Sequence, residues 1–162
     1  KDEFQQFVIY NGNINVHIEA KEIIWKSLDD IRKQLPDSNT LRIRMVTPTA
    51  FKSNGEYICM PELRYIYQSL INKYNAVCGI DNLDSSELIE KLADSTHIIK
   101  YDIHSEPFPL EKRRINGCIG DMLIRINADE DIEQLAKYLL KIGEFSGIGI
   151  KCSIGMGAVR IL

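Results

Sequence analysis

The sequence predicts an α+β domain in which an antiparallel sheet carries helices on one face, and three observations carry that prediction. Apolar and polar residues alternate with period two at 14–20, 41–45 and 115–126, as in strands buried on one side only. Between these stretches apolar residues recur at three- and four-residue spacing, over 61–77 and 127–143, which is the helical repeat. The composition is that of a globular chain: 162 residues, 44% apolar and 27% charged. At this length a folded domain buries roughly 70% of the surface its unfolded chain exposes, so a substantial core is available.

Taken in order, Ile14, Val16, Ile18 and Ala20 alternate with Asn15, His17 and Glu19 and predict a strand running toward Trp25. Ser27 is an N-cap for a short helix through Leu35, whose Leu28, Ile31 and Leu35 share a face, and Pro36 ends it. Leu41, Ile43 and Met45 against Arg42 and Arg44 form the next strand, closed at Thr47-Pro48. Residues 48–60 read as a loop with a turn at Ser53-Asn54-Gly55. Pro61 suits the first position of a helix carrying Leu63, Ile66, Leu70, Tyr74 and Val77. Asp84-Ser85-Ser86-Glu87 has the pattern of a capping box and opens a second helix with Leu88, Leu92 and Ala93. Residues 96–104 are β-branched and aromatic and read as a strand, followed by a loop with Pro107 and Pro109. Their hairpin partner is 115–126, with Cys118, Gly120, Met122, Ile124 and Ile126 on one side. Asn127, with Glu130 three residues on, starts a helix whose stripe is Ile132, Leu135, Ala136, Leu139 and Ile142, and Ala158 to Leu162 closes the domain as a strand. From Thr40 the order is strand, helix pair, strand, strand, helix, strand, the split βαβ arrangement of a ferredoxin-like fold. The main unit is then expected to start near Thr40 and run through 162, with residues 1–39 before it. A start at Lys1, within a charged polar run, agrees with a piece of a longer protein.

Charge and cysteine usage limit the chemistry. No apolar run approaches the roughly 20 residues of a membrane span, so no membrane partner is expected and a cytoplasmic location is. The four cysteines, Cys59, Cys78, Cys118 and Cys152, lie at least 19 residues apart. They form no CxxC pair, and with three scattered histidines the chain predicts neither a metal site nor a cofactor. The net charge of −3 argues against a polyanion in bulk, but it averages two unlike parts. Segments 81–96 and 121–134 sum to −8 and the remainder to +5. The acidic helices are expected on the side of the sheet away from any nucleic acid.

Gly147, Gly149, Gly155 and Gly157 fall within eleven residues, with Lys151 and Ser153 between them. The spacing fits neither a Walker A loop nor a dinucleotide fingerprint. Two readings remain: a tight helix-to-strand connection, or a loop whose backbone amides and one ammonium form a concavity for phosphate. Lys112, Arg113 and Arg114 give the hairpin a basic tip, suited to tracking a nucleic-acid backbone or simply to facing water.

Three segments, LRIRMVTPTAFKSNGEYICMPE at 41–62, INGCIGDMLIRI at 115–126 and GEFSGIGIKCSIGMGAVRIL at 143–162, resemble the C-terminal half of the CRISPR-associated endoribonucleases that process repeat transcripts. These belong to the RAMP superfamily, built from two ferredoxin-like, RRM-like domains. The resemblance implies an RNA-binding role for Gly147, Gly149, Lys151, Ser153, Gly155, Gly157, Lys112, Arg113 and Arg114. It further implies repeat RNA as partner, with other CRISPR-associated subunits and a homodimer compatible with it. The reaction it implies is metal-independent: a ribose 2′-hydroxyl attacks the adjacent phosphorus, giving a cyclic phosphate and a free 5′-hydroxyl. The family's catalytic His lies in the N-terminal domain, so no catalytic residue is assigned here; His17, His97 and His104 read as surface residues. Arg42, Arg44 and Lys52 are weaker RNA candidates, and Phe51 reads as a packing residue. The alternatives are a non-catalytic RAMP-type guide-RNA-binding subunit and, third, a ferredoxin-like small-molecule regulatory domain.

Overall fold

The computed structural model describes residues 6–9, 14–17, 26–78, 83, 86–110 and 113–162. Strands β1 (Gln6–Ile9) and β2 (Ile14–His17) form an antiparallel pair; the remainder of the strand predicted toward Trp25 lies outside the described residues. Helix α1 (Leu28–Lys33) begins where Ser27 predicts. The Ser27 hydroxyl accepts from the Asp30 amide at 3.1 Å and the Asp30 carboxylate accepts from the Ser27 amide at 3.0 Å, closing a capping box.

The domain follows as β3 (Thr40–Thr49), a small hairpin of β4 (Phe51–Ser53) and β5 (Glu56–Ile58), α2 (Leu63–Cys78), α3 (Ser86–Asp94), β6 (Thr96–Pro109), β7 (Arg114–Ile126), α4 (Glu130–Ser146) and β8 (Val159–Ile161). The main sheet has the order β6-β7-β3-β8 with every pair antiparallel, the ferredoxin-like arrangement. Leu41, Ile43 and Met45 of β3, Met122, Ile124 and Ile126 of β7 and Val159 and Ile161 of β8 point to one face. They pack there against Ile66, Leu70 and Ile71 of α2, Ile89 and Leu92 of α3, and Ala136, Leu139 and Leu140 of α4. Each fully buried Leu or Ile contributes about 1.5–3 kcal/mol by leaving water, which makes this layer the source of the domain's cohesion.

The structure corrects several element boundaries, each for an identifiable reason. The predicted loop 48–60 contains the β4–β5 hairpin, turned by Asn54 and Gly55 at φ 49° and 87°, the two left-handed positions that an Asn-Gly turn favours. β3 continues through Pro48 because the register shifts between Met45 and Thr49 and the proline needs no ladder partner there. β6 likewise continues through Pro107 and Pro109. Among the described residues it pairs only with β7, and an edge strand tolerates residues without an N–H. Helix α2 starts at Leu63, not Pro61, and its Val77 is 77% exposed instead of joining the apolar face. The cap of α4 is Asp129, whose carboxylate accepts from the Ile132 amide at 3.0 Å; Asn127 lies before it. Asp84 and Ser85 of the predicted capping box lie outside the described residues.

One buried polar contact ties the helical layer to the edge strand. Tyr67, on α2 and without exposed surface, shares a 2.8 Å hydrogen bond with the Thr96 hydroxyl at the start of β6, which in turn donates to Leu92 O. Burial pushes the Tyr67 phenol up to about 12, so it stays neutral throughout the physiological range. Tyr67→Phe removes that partnership while keeping the ring. It is expected to cost about 1–2 kcal/mol in urea unfolding, with an unchanged slope.

Candidate nucleic-acid interface

The glycine-rich loop leaves α4 at Gly147 and returns to the sheet after Gly157, folding over the segment that follows the β3 irregularity. Ile150 N donates to Ala50 O at 2.9 Å, Gly157 N to Pro48 O at 3.1 Å, and Ala158 N to the Thr47 hydroxyl at 2.9 Å. The approach is close enough to exclude side chains. A Cβ on Gly149 would lie 2.2 Å from Ala50 O, and one on Gly157 2.1 Å from Ile148 O, and both residues have positive φ. From α2, the Ser69 hydroxyl accepts from Gly149 N at 2.8 Å, and Lys73 Nζ donates to Gly147 O and to Cys152 Sγ, both at 2.9 Å.

These bonds correct the expectation of an open bed of glycine amides. The amides of Gly147, Gly149, Gly155 and Gly157 all donate within the chain. The base of the loop is thus a tight helix-to-strand connection, and its exposed crown is polar. At the crown, the successive amides of Lys151, Cys152 and Ser153 have no acceptor among the described residues, and Lys151 is left-handed at φ 57°. Lys151, Ser153 and Gly155 are exposed, whereas Gly147 and Gly157 are buried.

The basic hairpin tip and the loop are held side by side. Ile115 of β7, Met156 of the loop and Ala50 form a small buried cluster, joined by Phe108, Leu110 and Ile150. Arg113 and Arg114 stand exposed beside it, and Lys112 lies outside the described residues. Phe51 is buried and stacks on Tyr65 with ring centroids 5.9 Å apart, the packing role expected of it.

A third basic element is only half legible in the sequence. The face of the sheet opposite the helices carries Arg42 and Arg44 of β3 together with Lys100 of β6, Arg125 of β7 and Arg160 of β8, all exposed. Registry brings them together: Thr40 faces Arg125, Arg42 faces Leu123, Leu123 faces Lys100, and Arg44 faces both Asp121 and Arg160. The signal for Arg125 and Arg160 lies in period two, since each sits between two buried isoleucines or valines. Asp121 belongs to this face and not to the acidic helices. Arg44 holds it through two bonds, Nε–Oδ1 at 2.8 Å and Nη2–Oδ2 at 3.1 Å, which lower the carboxyl below its usual range and raise the guanidinium. His97 and His104 are exposed on β6 opposite Arg125 and Ile119.

The fold and this basic margin can be set beside known proteins. The family described as CRISPR-associated endoribonuclease Cas6 matches residues 43–159. The chain belongs to that family. Among curated relatives, the CRISPR-associated endoribonuclease Cas6 of Mycobacterium tuberculosis is 36% identical over 126 residues, covering 78% of this chain and 40% of the relative. That of Streptococcus thermophilus is 28% identical over 144 residues, covering 89% and 59%. Thermus thermophilus Cas6 superposes with a TM-score of 0.72 at 24% identity, over 85% of this chain and 58% of that one, a likeness of fold. The chain thus spans between two-fifths and three-fifths of the length of these three relatives.

The charge layout sets opposite expectations for two changes. Lys151→Ala, or a joint alanine change at Arg113 and Arg114, is expected to weaken RNA binding and flatten its salt dependence, by about 0.7–0.9 in log–log slope for each phosphate no longer neutralised. Asp121→Asn, which frees Arg44, is expected to tighten binding. Anisotropy titrations at several salt concentrations read both effects, and an unchanged slope removes the altered group from the interface.

Proposed function

We propose that this chain is the C-terminal, RNA-binding part of a CRISPR repeat endoribonuclease, with residues 40–162 as its ferredoxin-like domain and 1–39 as the end of a preceding domain and linker. The observation that carries the reading is the arrangement of charge. Five exposed basic side chains outnumber Asp102 and the Arg44-paired Asp121 on the bare sheet face, with Lys151, Arg113 and Arg114 toward its end. The exposed acids of the helices, Glu87, Glu90, Asp94, Glu130 and Asp131, lie in the opposite layer. A chain of net charge −3 therefore presents a positive surface to a phosphate backbone. Repeat RNA is the partner, by way of a stem or an unpaired segment, and other CRISPR-associated subunits are candidates to receive the product.

In the proposed reaction the 2′-oxygen of the nucleotide before the cut forms a bond to phosphorus as its proton passes to a general base. The bond from phosphorus to the 5′-oxygen breaks, and a general acid protonates the leaving oxygen. The products are a 2′,3′-cyclic phosphate and a 5′-hydroxyl. The contribution of this chain is to bind and align the strand, because in-line attack depends on holding the 2′-oxygen near its phosphorus. No base is placed on it. His97 and His104 stand exposed on β6, opposite Arg125 and Ile119. The base is assigned to the part of the full-length protein outside this chain.

Incubating the full-length protein, and this chain alone, with repeat RNA in EDTA tests the reading. A single cut per repeat by the full-length protein, ending in cyclic phosphate, together with salt-dependent binding but no cut by the chain alone, is the expected outcome. Cleavage that requires a divalent ion overturns the mechanism. Tight binding without cleavage by the full-length protein favours a guide-RNA-holding role.

A further inference from the structure

Beside the glycine loop is a hollow that the binding surface described so far does not use. It is a half-open groove of about 200 Å³ between α2, the β4 strand and the loop. Most small-molecule sites occupy about 300–1,000 Å³, so this one is undersized for a metabolite with its own recognition shell but adequate for a single planar heterocycle.

The lining has the chemistry such a ring requires. Residues 65, 68, 69, 72 and 73 fall on one face of α2 by their three- and four-residue spacing, and the loop closes opposite them. Tyr65 and Ile150 supply apolar walls. Gln68 Nε2 donates to Asn72 Oδ1 at 3.2 Å. This leaves the Gln68 carbonyl as an acceptor and the Asn72 amide as a donor, neither with a partner among the described residues. Two carboxamides joined by one N–H···O bond always leave one of each, whichever way they are turned, and an adjacent donor and acceptor match the edge of a nucleobase. Lys73 uses two of its three donors on Gly147 O and Cys152 Sγ, and Lys52 is exposed with no ion pair among the described residues. Positive charge therefore stands at the rim. Lys151, the proposed phosphate contact, follows Ile150 directly along the loop.

We propose that this hollow receives one unpaired base of the bound RNA, turned out of the strand as its phosphate passes Lys151 and Ser153. The site rests on the RNA-binding reading above and adds a position at which the chain senses a base as well as the backbone. Walls of this kind bind bases with little sequence preference, and the two carboxamides add a choice of edge.

The test uses the full-length protein in EDTA with its genome's repeat RNA, made as a series carrying one abasic nucleotide at each position in turn. Binding is read for the wild type, for Gln68→Ala/Asn72→Ala and for Lys151→Ala. Gln68 and Asn72 lie outside the core, and an unchanged melting temperature confirms that the double variant folds. One abasic position is expected to weaken wild-type binding about tenfold, the scale of removing one stacked base. The double variant is expected to be weakened by a similar factor and to be indifferent to that same position. Additive effects, or no sensitive position, while binding remains salt-dependent and falls in Lys151→Ala, overturn the base site and leave the RNA reading intact. Absence of salt-dependent binding by the wild type overturns both.

Discussion

Two stretches of backbone meet in this domain without a side chain between them, and much of the molecule's surface follows from that contact. Residues 47–50 turn their carbonyls and the Thr47 hydroxyl toward the returning loop, whose amides at Ile150, Gly157 and Ala158 bind them. The contact can form only because Gly149 and Gly157 present hydrogen where any other residue would place a carbon about 2 Å from a carbonyl oxygen. It also explains why a Thr-Pro-Thr-Ala segment and a glycine-rich tail occur in one chain separated by about a hundred residues: each is the other's binding partner. The proline supports this arrangement by leaving the ladder at the point where the strand must offer its carbonyl elsewhere.

Because the loop's base is spent on this closure, charge and not amide display distinguishes the surface. The loop positions Lys151 and Ser153 and, through Met156 and Ile115, fixes the root of the basic hairpin. Loop, hairpin and open sheet face thus form one continuous margin whose parts are held by packing and backbone bonds. A surface set in advance gives up less conformational entropy on binding than one that must be ordered by its ligand. Of the acidic residues within it, Asp121 is neutralised in place by Arg44, and Asp102 of β6 faces it across the strand pair.

The amino-acid sequence reveals the periodic parts of this design. Helix α1 and its Ser27 cap, the stripe of α4, the three core strands and the Asn-Gly turn all depend on local rules and are legible in the residues themselves. Boundaries involving proline are not, because whether a missing N–H matters depends on which neighbour a strand has, and β6 has one only among the described residues. Of the site, the glycine loop and the basic tip are legible from composition. Period two turns Arg125 and Arg160 outward, but only the register across four strands shows that they and Lys100, so distant in sequence, share a face. The polar stripe of α2 at Gln68, Ser69, Asn72 and Lys73 likewise looks like an ordinary solvent face until the loop is placed over it.

The edge strand has a further consequence for the free protein in a crowded cell. β6 is fourteen residues long, unpaired on its outer side among the described residues, and exposes Ile98, Ile99 and Tyr101. Such an edge invites a second sheet to continue it, and a chain that grows by edge-to-edge pairing grows without limit. The strand is interrupted at both ends: a register irregularity between Ile98 and Lys100 bends it where it is most apolar, and Pro107 and Pro109 leave gaps in its row of donors further on. Lys100, Asp102 and Glu106 put charge on what remains. The features that complicate reading this strand from sequence are those that keep its open edge from seeding aggregates.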